Sequence, residues 1–234
     1  MIESVLITGS NRGIGLALVR EYGKRRVPQI FATCRDPESA DELQQLAQQG
    51  KVQVIPLDIT NEDSIAAAAE RVQSTAGKLD VLINNAGIYP EHKNSRIFGQ
   101  LEAEAVGEVV TTNSVSPLIV TQAFAPLLRK GNNPRVVMIS SQMGSIDRAG
   151  GNSFAYRMSK AAMNMGARVL ANTLRSERII VITTHPGHVA TDMGGSHAPV
   201  SPEDSARGLV MLIENLKLEQ SGQFFDWRGA RLPW

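Results

Sequence analysis

Short apolar runs alternate along the chain with longer segments in which apolar residues recur every three or four positions. Runs of the first kind predict β-strands, and segments of the second kind predict helices with one face against a core. Several runs lack polar alternation, as strands buried on both faces do. The predicted strands span residues 4–8, 29–33, 52–57, 81–83, 135–139, 179–184 and 223–225.

The segments between these strands predict helices that cover a parallel sheet on both faces, which is an α/β fold. A third helix is expected to begin near Asn113 and run towards Arg129, with a kink where Pro126 removes a backbone hydrogen bond. The first, second and fourth helices are marked by apolar stripes, which consist of Ile14, Ala17, Leu18 and Tyr22, of Ile65, Ala68, Ala69, Val72 and Ala76, and of Ala162, Met165 and Val169.

Composition and charge argue against several domains and against a nucleic-acid partner. The 234 residues are 42% hydrophobic and 20% charged, and they contain no internal repeat or linker, so we expect a single domain over residues 1–234. Residues 194–202, rich in Gly, Ser and Pro, are expected to form a loop within it. The 24 Lys and Arg nearly balance the 23 Asp and Glu, for a net charge of +1, so we expect no nucleic-acid partner.

Two features bear on location. No apolar run approaches the roughly 18 residues that span a bilayer, and Glu3 stands where a signal peptide would carry positive charge. The single cysteine, Cys34, excludes an internal disulfide framework and a zinc site built from several thiolates. We therefore expect a cytoplasmic protein without a membrane partner.

A glycine-rich turn follows the first predicted strand and precedes the first helix. A tight strand-to-helix turn requires positive φ, and bare backbone N–H groups at a helix start can receive a pyrophosphate. The turn therefore predicts nucleotide binding, although a merely structural turn would also use glycine. Its candidate binding residues are Gly9, Asn11, Arg12, Gly13, Ile14 and Gly15.

Four motifs occur in an order and spacing that cover essentially the whole chain. They are Thr-Gly-x-x-x-Gly-x-Gly at residues 8–15, Asn-Asn-Ala-Gly at 84–87, Tyr-x-x-x-Lys at 156–160, and Pro-Gly at 186–187 followed by Thr191. The set resembles the short-chain dehydrogenase/reductase family, and the residues around Tyr156, after Thr191 and at residues 224–234 resemble its carbonyl-reductase branch. The resemblance implies a Rossmann-like, doubly wound parallel sheet.

The residue after the second strand indicates which nucleotide binds. Enzymes that prefer NAD commonly place a carboxylate there, whereas this chain has Arg35, which would attract the 2′-phosphate of NADP(H) together with Arg12. The alternative is that both arginines are solvated and that Asp36 binds the ribose, although Asp36 precedes a proline and is expected to start the next helix. Asp58, with Ile59, resembles the family's adenine site, and a helix-start role for Asp58 is the alternative.

Tyr156 and Lys160 are four residues apart, so a helix places them on one face. A nearby ammonium, with a positively charged oxidised nicotinamide, would lower the pKa of the phenol and let Tyr156 donate a proton. Ser141, with Ser140 as its rival, would polarise the substrate carbonyl, and the resemblance favours the second serine. Asn113 resembles the family's asparagine that links Lys160 to water, with a helix cap as the alternative.

The resemblance assigns the remaining cofactor contacts. Tyr156 and Lys160 would also contact the cofactor, and the other expected contacts are Asn85, Ala86 and Gly87 on the adenosine side and Pro186, Gly187, Val189 and Thr191 at the nicotinamide end. No metal is expected, because the histidines at positions 92, 185, 188 and 197 lack a carboxylate or cysteine at ligand spacing.

These observations predict an NADPH-dependent reductase that transfers hydride to a ketone or aldehyde carbonyl. A signalling or regulatory nucleotide-binding protein with vestigial catalysis is the alternative. Substrate contacts are expected from residues 89–98, from residues 145–154 and from the loop after Thr191. The segment between Ser141 and Tyr156 is short, unlike that of the monomeric carbonyl reductases, so helices near Asn113 and Phe154 remain free to pair in a homodimer or homotetramer.

Overall fold

The computed structural model describes residues 1–50, 52–90 and 93–234, which form a seven-stranded sheet in the order β3-β2-β1-β4-β5-β6-β7. Every neighbouring pair is parallel. The predicted parallel sheet is thus confirmed, and its strand ends differ from the prediction by a single residue at most. The strands are β1 (Ser4–Ile7), β2 (Gln29–Cys34), β3 (Val52–Pro56), β4 (Val81–Asn84), β5 (Arg135–Ile139), β6 (Ile180–His185) and β7 (Phe224–Asp226).

Helices cover both faces of the sheet, as predicted. Successive side chains of a strand point to opposite faces, so Val5 and Ile7 of β1 lie in one apolar core and Leu6 lies in the other. The first core packs against α1, α2 and α7, and the second against α3, α5 and α6. The helices are α1 (Gly13–Lys24), α2 (Asp41–Gln48), α3 (Glu62–Thr75), α4 (Ala103–Val110), α5 (Ser116–Leu128), α6 (Phe154–Thr173) and α7 (Pro202–Glu214).

The helix expected to begin near Asn113 begins earlier. Residues 103–128 run as α4, a π-helical turn at Thr111–Val115 and α5, so Asn113 lies in the interior of a long helical segment. Such turns insert one residue into a helix and are frequent at functional sites. The prediction of a helix start near Asn113 was wrong, because the helical backbone already begins at Ala103 and continues through the π-helical turn.

The stripe predicted on the fourth helix faces outward. Met165 is 65% exposed and Val169 is 56% exposed, whereas Met163, Ala167 and Ala171 face the sheet. An apolar stripe on a helix therefore does not by itself identify the side that packs on its own core.

Strands β2 and β3 lie on one side of β1 in the sheet, and strands β4 to β7 lie on the other side. In a parallel sheet, ligands bind beyond the carboxyl ends of the strands at the point where the strand order reverses. Here that point lies between β1 and β4. Among the described residues, no helix combines the length and the apolar character that crossing a bilayer would need.

Candidate active site

A cleft of about 570 Å³ opens beyond the carboxyl ends of β1, β2 and β4, at the reversal point. It extends from the end of β2 to α6 and to the loop that follows β6. Most of the sequence-predicted cofactor residues come together on its lining, which includes Gly9, Asn11, Arg12, Gly13, Ile14, Arg35, Asp58, Ile59, Asn85, Ala86, Gly87, Tyr156, Lys160, Pro186 and Thr191.

Three of the predicted cofactor residues lie behind this lining. A Cβ at Gly15 would collide with the carbonyl oxygen of Gly9, so glycine is required for the turn to fold back on itself. Gly187 has φ +95°, and a Cβ there would lie 3.0 Å from Nε1 of Trp227. Val189 is buried, in a bridge with Val200. These positions support the cleft wall without forming its surface.

The glycine-rich turn is tied directly to the end of β4. The Asn85 side-chain amide donates to the carbonyl oxygens of Thr8 and Gly9, at 2.9 Å and 3.0 Å. The Thr8 hydroxyl accepts from the backbone N–H groups of Asn85 and Ala86, each at 3.0 Å. Gly9, at φ +65°, leaves room for Ala86. Asn85 therefore links the end of β4 to the turn that follows β1.

Charged groups lie at the β2 end of the cleft. The Asp58 carboxylate accepts from the hydroxyl and backbone N–H of Thr60, and these bonds, with a smaller contribution from Arg35, hold its pKa below the usual range. Asn61, rather than Asp58, caps α3 by accepting from the Ser64 N–H, so the helix-start alternative for Asp58 was wrong. Arg12 pairs with Asp192 at 2.7 Å, and both side chains are exposed.

Asp36 takes no part in the cleft lining. Its carboxylate instead accepts from the backbone N–H groups of Glu38 and Ser39, at 3.1 Å and 3.4 Å, while α2 begins only at Asp41. The expectation that Asp36 starts the next helix was therefore wrong, because it closes a turn before that helix. These hydrogen bonds leave Arg35 as the residue after β2 that reaches the cleft.

Tyr156 and Lys160 lie on one face of α6, and both side chains are buried. The Lys160 ammonium donates to the carbonyl oxygen of Ile139, at the end of β5, at 2.8 Å. Its nitrogen lies 5.8 Å from the centroid of the Tyr156 ring. The predicted pair is therefore assembled at the inner end of the cleft, where β5 ends.

Burial shifts both pKa values and does so in opposite directions. It raises the pKa of Tyr156 to about 12, against a lowering effect of the hydrogen bond with Ser141. It also lowers the pKa of Lys160 to about 8. The pKa of Tyr156 is thus raised, whereas the sequence predicted that Lys160 would lower it. Burial destabilises the phenolate by more than the hydrogen bond with Ser141 stabilises it. At neutral pH Tyr156 carries its proton.

Two serines follow β5, and their contacts differ. The Ser140 hydroxyl donates to the side-chain oxygen of Asn164 at 2.7 Å, which commits it to the scaffold of α6. The Ser141 hydroxyl accepts a hydrogen bond from the Met143 N–H at 3.1 Å and is also hydrogen-bonded to the Tyr156 phenol. Ser140, and not Ser141, is among the residues that line the cleft, but these contacts favour Ser141 as the hydroxyl beside the phenol.

Asn113 fixes the segment that follows β4. Its side chain accepts from the Ile88 N–H and donates to the Ile88 carbonyl oxygen, each at 2.8 Å, and it also donates to the Ser159 hydroxyl at 3.1 Å. A Cβ at Gly87 would lie 2.9 Å from the Asn113 oxygen and 3.7 Å from the Lys160 nitrogen. Asn113 therefore lies beside Lys160, and the helix-cap alternative was wrong.

Comparison with known proteins agrees with this geometry. The family profile of the short chain dehydrogenases matches residues 3–200. The chain belongs to the short-chain dehydrogenase family. This family membership makes the protein an oxidoreductase and confirms the resemblance drawn from the four motifs.

Individual relatives point to one branch of the short-chain dehydrogenases. C-signal of Myxococcus xanthus is 42% identical over 162 residues, which cover 68% of this chain and 94% of that protein. The NADPH-bound carbonyl reductase from chicken fatty liver is 37% identical with a TM-score of 0.94, covering 100% of this chain and 99% of its own. Carbonyl reductase Sniffer of D. melanogaster is 33% identical with a TM-score of 0.95, and each chain is covered completely.

Sequence reasoning missed part of the wall of this short-chain dehydrogenase cleft. Glu108, Thr111 and Thr112 precede Asn113 on the same helical segment, so helical spacing from Asn113 would have found them once the π-helical turn was known. Other lining residues directly adjoin predicted ones, which is a signal the sequence does carry. The lining residues that were not predicted as cofactor contacts are Cys34, Leu57, Thr60, Ile88, Glu108, Thr111, Thr112, Ile139, Ser140, Asp192 and Met193.

The histidines do not assemble a metal site within the part of the chain that is described, where no three His, Cys, Asp or Glu residues are grouped for a metal ion. Burial lowers the pKa of His185 to about 4. His188 is exposed, and its Nε2 lies 2.8 Å from the Gly194 carbonyl oxygen. His92 lies outside the described residues.

Proposed function

We propose that the protein is an NADPH-dependent reductase that transfers hydride to a ketone or aldehyde carbonyl. The observation that carries this proposal is the buried pair of Tyr156 and Lys160 at the inner end of a nucleotide-sized cleft, with the Ser141 hydroxyl hydrogen-bonded to the phenol. A module that only binds nucleotide has no use for a buried phenol beside a buried ammonium. The carbonyl reductases of chicken and fly, which share this fold over their whole length, support the same activity.

The lining fits a phosphorylated dinucleotide. Glycine at position 13 has φ +55°, and a Cβ there would lie 3.3 Å from the Thr191 methyl carbon, so bare backbone keeps the cleft open between the turn and this loop. Arg35 and Arg12 supply positive charge for a 2′-phosphate. An exposed ion pair such as Arg12 with Asp192 is worth little, so Arg12 can exchange its carboxylate for a phosphate.

The other contacts would orient the two ends of the cofactor. Asp58 and Ile59 would contact the adenine, and Asn85, Ala86 and Gly87 would form the wall on the adenosine side. Pro186 and Thr191, supported from behind by Gly187 and Val189, would hold the nicotinamide end, and Lys160 would reach the ribose hydroxyls. When bound, NADPH supplies the hydride.

The chain's own residues would then handle the substrate oxygen and its proton. Ser141 donates a hydrogen bond to the carbonyl oxygen and polarises the bond. Tyr156, protonated at neutral pH, gives its proton to that oxygen as the carbonyl carbon is reduced. Lys160, with a pKa of about 8, can exchange protons near neutral pH and stabilises the phenolate. Asn113 holds the Ile88 segment beside Lys160 and so supports the return of a proton from solvent.

The test is NADPH oxidation by the purified protein across a panel of aldehydes, diketones and quinones. Tyr156→Phe removes only the phenol oxygen, and we expect turnover to fall by about 10²-fold or more. Tyr22→Phe is the matched control, because Tyr22 is also fully buried but lies in the core between α1 and the sheet. Full activity in Tyr156→Phe would refute the mechanism. Tight NADPH binding without turnover of any compound would favour the regulatory alternative.

We also infer that the protein self-associates as a homodimer or homotetramer. The outward stripe of α6 includes Met158, Met165 and Val169, each more than half exposed. The neighbouring π-helical turn adds Val115, which is 46% exposed. Adjacent exposed apolar groups of this size are typical of interaction surfaces, and a second copy of the same helices would cover them symmetrically.

A further inference from the structure

Tyr89 directly follows Ile88, which is hydrogen-bonded to Asn113, and its ring contacts the ring of Tyr156. Its neighbour Ile88 has both backbone polar groups bonded to the Asn113 side chain, at 2.8 Å each. The Tyr89 ring meets the Tyr156 ring edge to face, with centroids 4.8 Å apart and an angle of 70° between the planes. These two hydrogen bonds fix the backbone next to Tyr89 and therefore fix the position of its ring against Tyr156.

Two further contacts hold the Tyr89 side chain. Its hydroxyl lies 2.9 Å from the Ser153 hydroxyl, and the Arg96 guanidinium lies 5.3 Å from the centroid of its ring. A cation at that distance is attracted by the ring's electrons. The hydroxyl end of the ring is thus held by Ser153, the residue before α6, and its face is held by Arg96.

Ser153 is itself unusual. It precedes α6 directly, is almost completely buried, and has φ +57°, in the left-handed region that residues other than glycine seldom occupy. Such a conformation costs free energy and persists where the surrounding structure demands it. Here it presents the serine hydroxyl to Tyr89 at the start of α6, three residues before Tyr156.

We propose that Tyr89 is a positioning residue for Tyr156: the Tyr89 ring holds the catalytic phenol in a single orientation and keeps water from it. This inference rests on the proposed function, because it assigns Tyr89 a role only if Tyr156 donates the proton. Tyr89 does not line the cofactor cleft, so its contribution belongs to the proton-transfer step rather than to cofactor binding.

The packing has a consequence for pH dependence. The titratable or charged groups that face Tyr156 are Lys160 on its own helix and Tyr89 on the segment after β4, with Arg96 over the Tyr89 ring. Burial is the largest cause of the raised pKa of Tyr156. Removing the Tyr89 ring admits water, which stabilises the phenolate and lowers that pKa. Carbonyl reduction needs the protonated phenol, so activity would then be lost at lower pH.

The experiment compares Tyr89→Ala with Tyr89→Phe. We expect Tyr89→Ala to lower kcat by about 5–10-fold, the size of a lost aromatic pair, and to move the alkaline limb of the kcat profile to lower pH. Because both variants lack the Tyr89 phenol, the ultraviolet titration of tyrosinate is compared between them, and Tyr156 should ionise at lower pH in Tyr89→Ala than in Tyr89→Phe. Tyr89→Phe keeps the ring and should restore both properties. The affinity for NADPH, measured by its fluorescence, should be unchanged in both variants.

Several results would overturn the inference. Wild-type kcat and an unshifted alkaline limb in Tyr89→Ala would remove it, as would equal losses in the alanine and phenylalanine variants. If Tyr89→Ala does not fold, Tyr89→Leu fills the space without a ring and is judged by the same measurements. An active Tyr156→Phe would instead refute the proposed function, whereas an inactive Tyr156→Phe beside a wild-type-like Tyr89→Ala would refute this inference alone.

Discussion

Arg35 directly follows β2 and lies on the cleft lining, while the next side chain, Asp36, is bonded into a turn with Ser39. The position at which a carboxylate would repel a phosphate is therefore held by a guanidinium. Arginine suits this role because its planar group donates two parallel hydrogen bonds to a phosphate. At the scale of one residue, we propose that cofactor preference depends on the Arg35 side chain, which lines the cleft.

Reversing the charge of Arg35 should reverse this preference. We expect Arg35→Asp to lower the ratio of kcat/KM for NADPH to that for NADH by roughly 10–100-fold, the value of one charge-assisted phosphate contact. Arg71→Asp, which makes the same change on the exposed side of α3, should leave the ratio unaltered. Steady-state kinetics with both cofactors would check this, and an unchanged ratio in Arg35→Asp would contradict the assignment.

At the scale of elements, the π-helical turn between α4 and α5 places the Asn113 amide against the segment that follows β4. The extra residue in the turn directs the Asn113 side chain inward, where it bonds both polar groups of Ile88. Hydrophobic periodicity predicted helical structure here but not this turn, because one inserted residue only shifts the pattern locally. The sequence stripes located α1 and α3 well, since both pack one clean apolar face on the sheet.

Removing the Asn113 amide should therefore cost both stability and activity. Asn113→Ala leaves the two Ile88 groups without their partner, and we expect a loss of about 2–4 kcal/mol in the free energy of unfolding together with a fall in kcat. Asn61→Ala provides a matched control, because it removes one helix cap at about 1 kcal/mol on α3. Denaturant melts and carbonyl-reduction assays would compare the two, and equal activity losses would argue against a special role for Asn113.

At the scale of the whole molecule, the sheet is covered on both faces, yet α6 still presents an apolar stripe to solvent. The inward residues of α6, such as Met163 and Ala167, pack in the core of the chain. The exposed methionines Met158 and Met165 therefore do not contribute to that core. An α6 that is apolar on two sides is what a subunit interface requires.

Placing charge on this stripe should separate the subunits. We expect light scattering at micromolar protein to give a dimer or tetramer for the native chain and a monomer for Met165→Glu, because two like charges would meet across a symmetric interface. Met211→Glu alters a methionine on α7 that is also more than half exposed and should leave at least a dimer. A native chain that is already monomeric would contradict the inference.

The sequence by itself determined the alternation of strands and helices, the glycine-rich turn and the identity of the residues that could carry the chemistry. The strands and helices follow from local hydrophobic periodicity. The turn and the candidate residues follow from residue types, such as glycine at positive φ or a tyrosine with a lysine, that few other residues can replace. Only the tertiary structure decided which face of α6 is covered, where the Asn113 helix begins, which serine faces Tyr156 and what Tyr89 touches. Those properties depend on contacts between residues far apart in the chain, and burial at such contacts sets the pKa values of Tyr156 and Lys160.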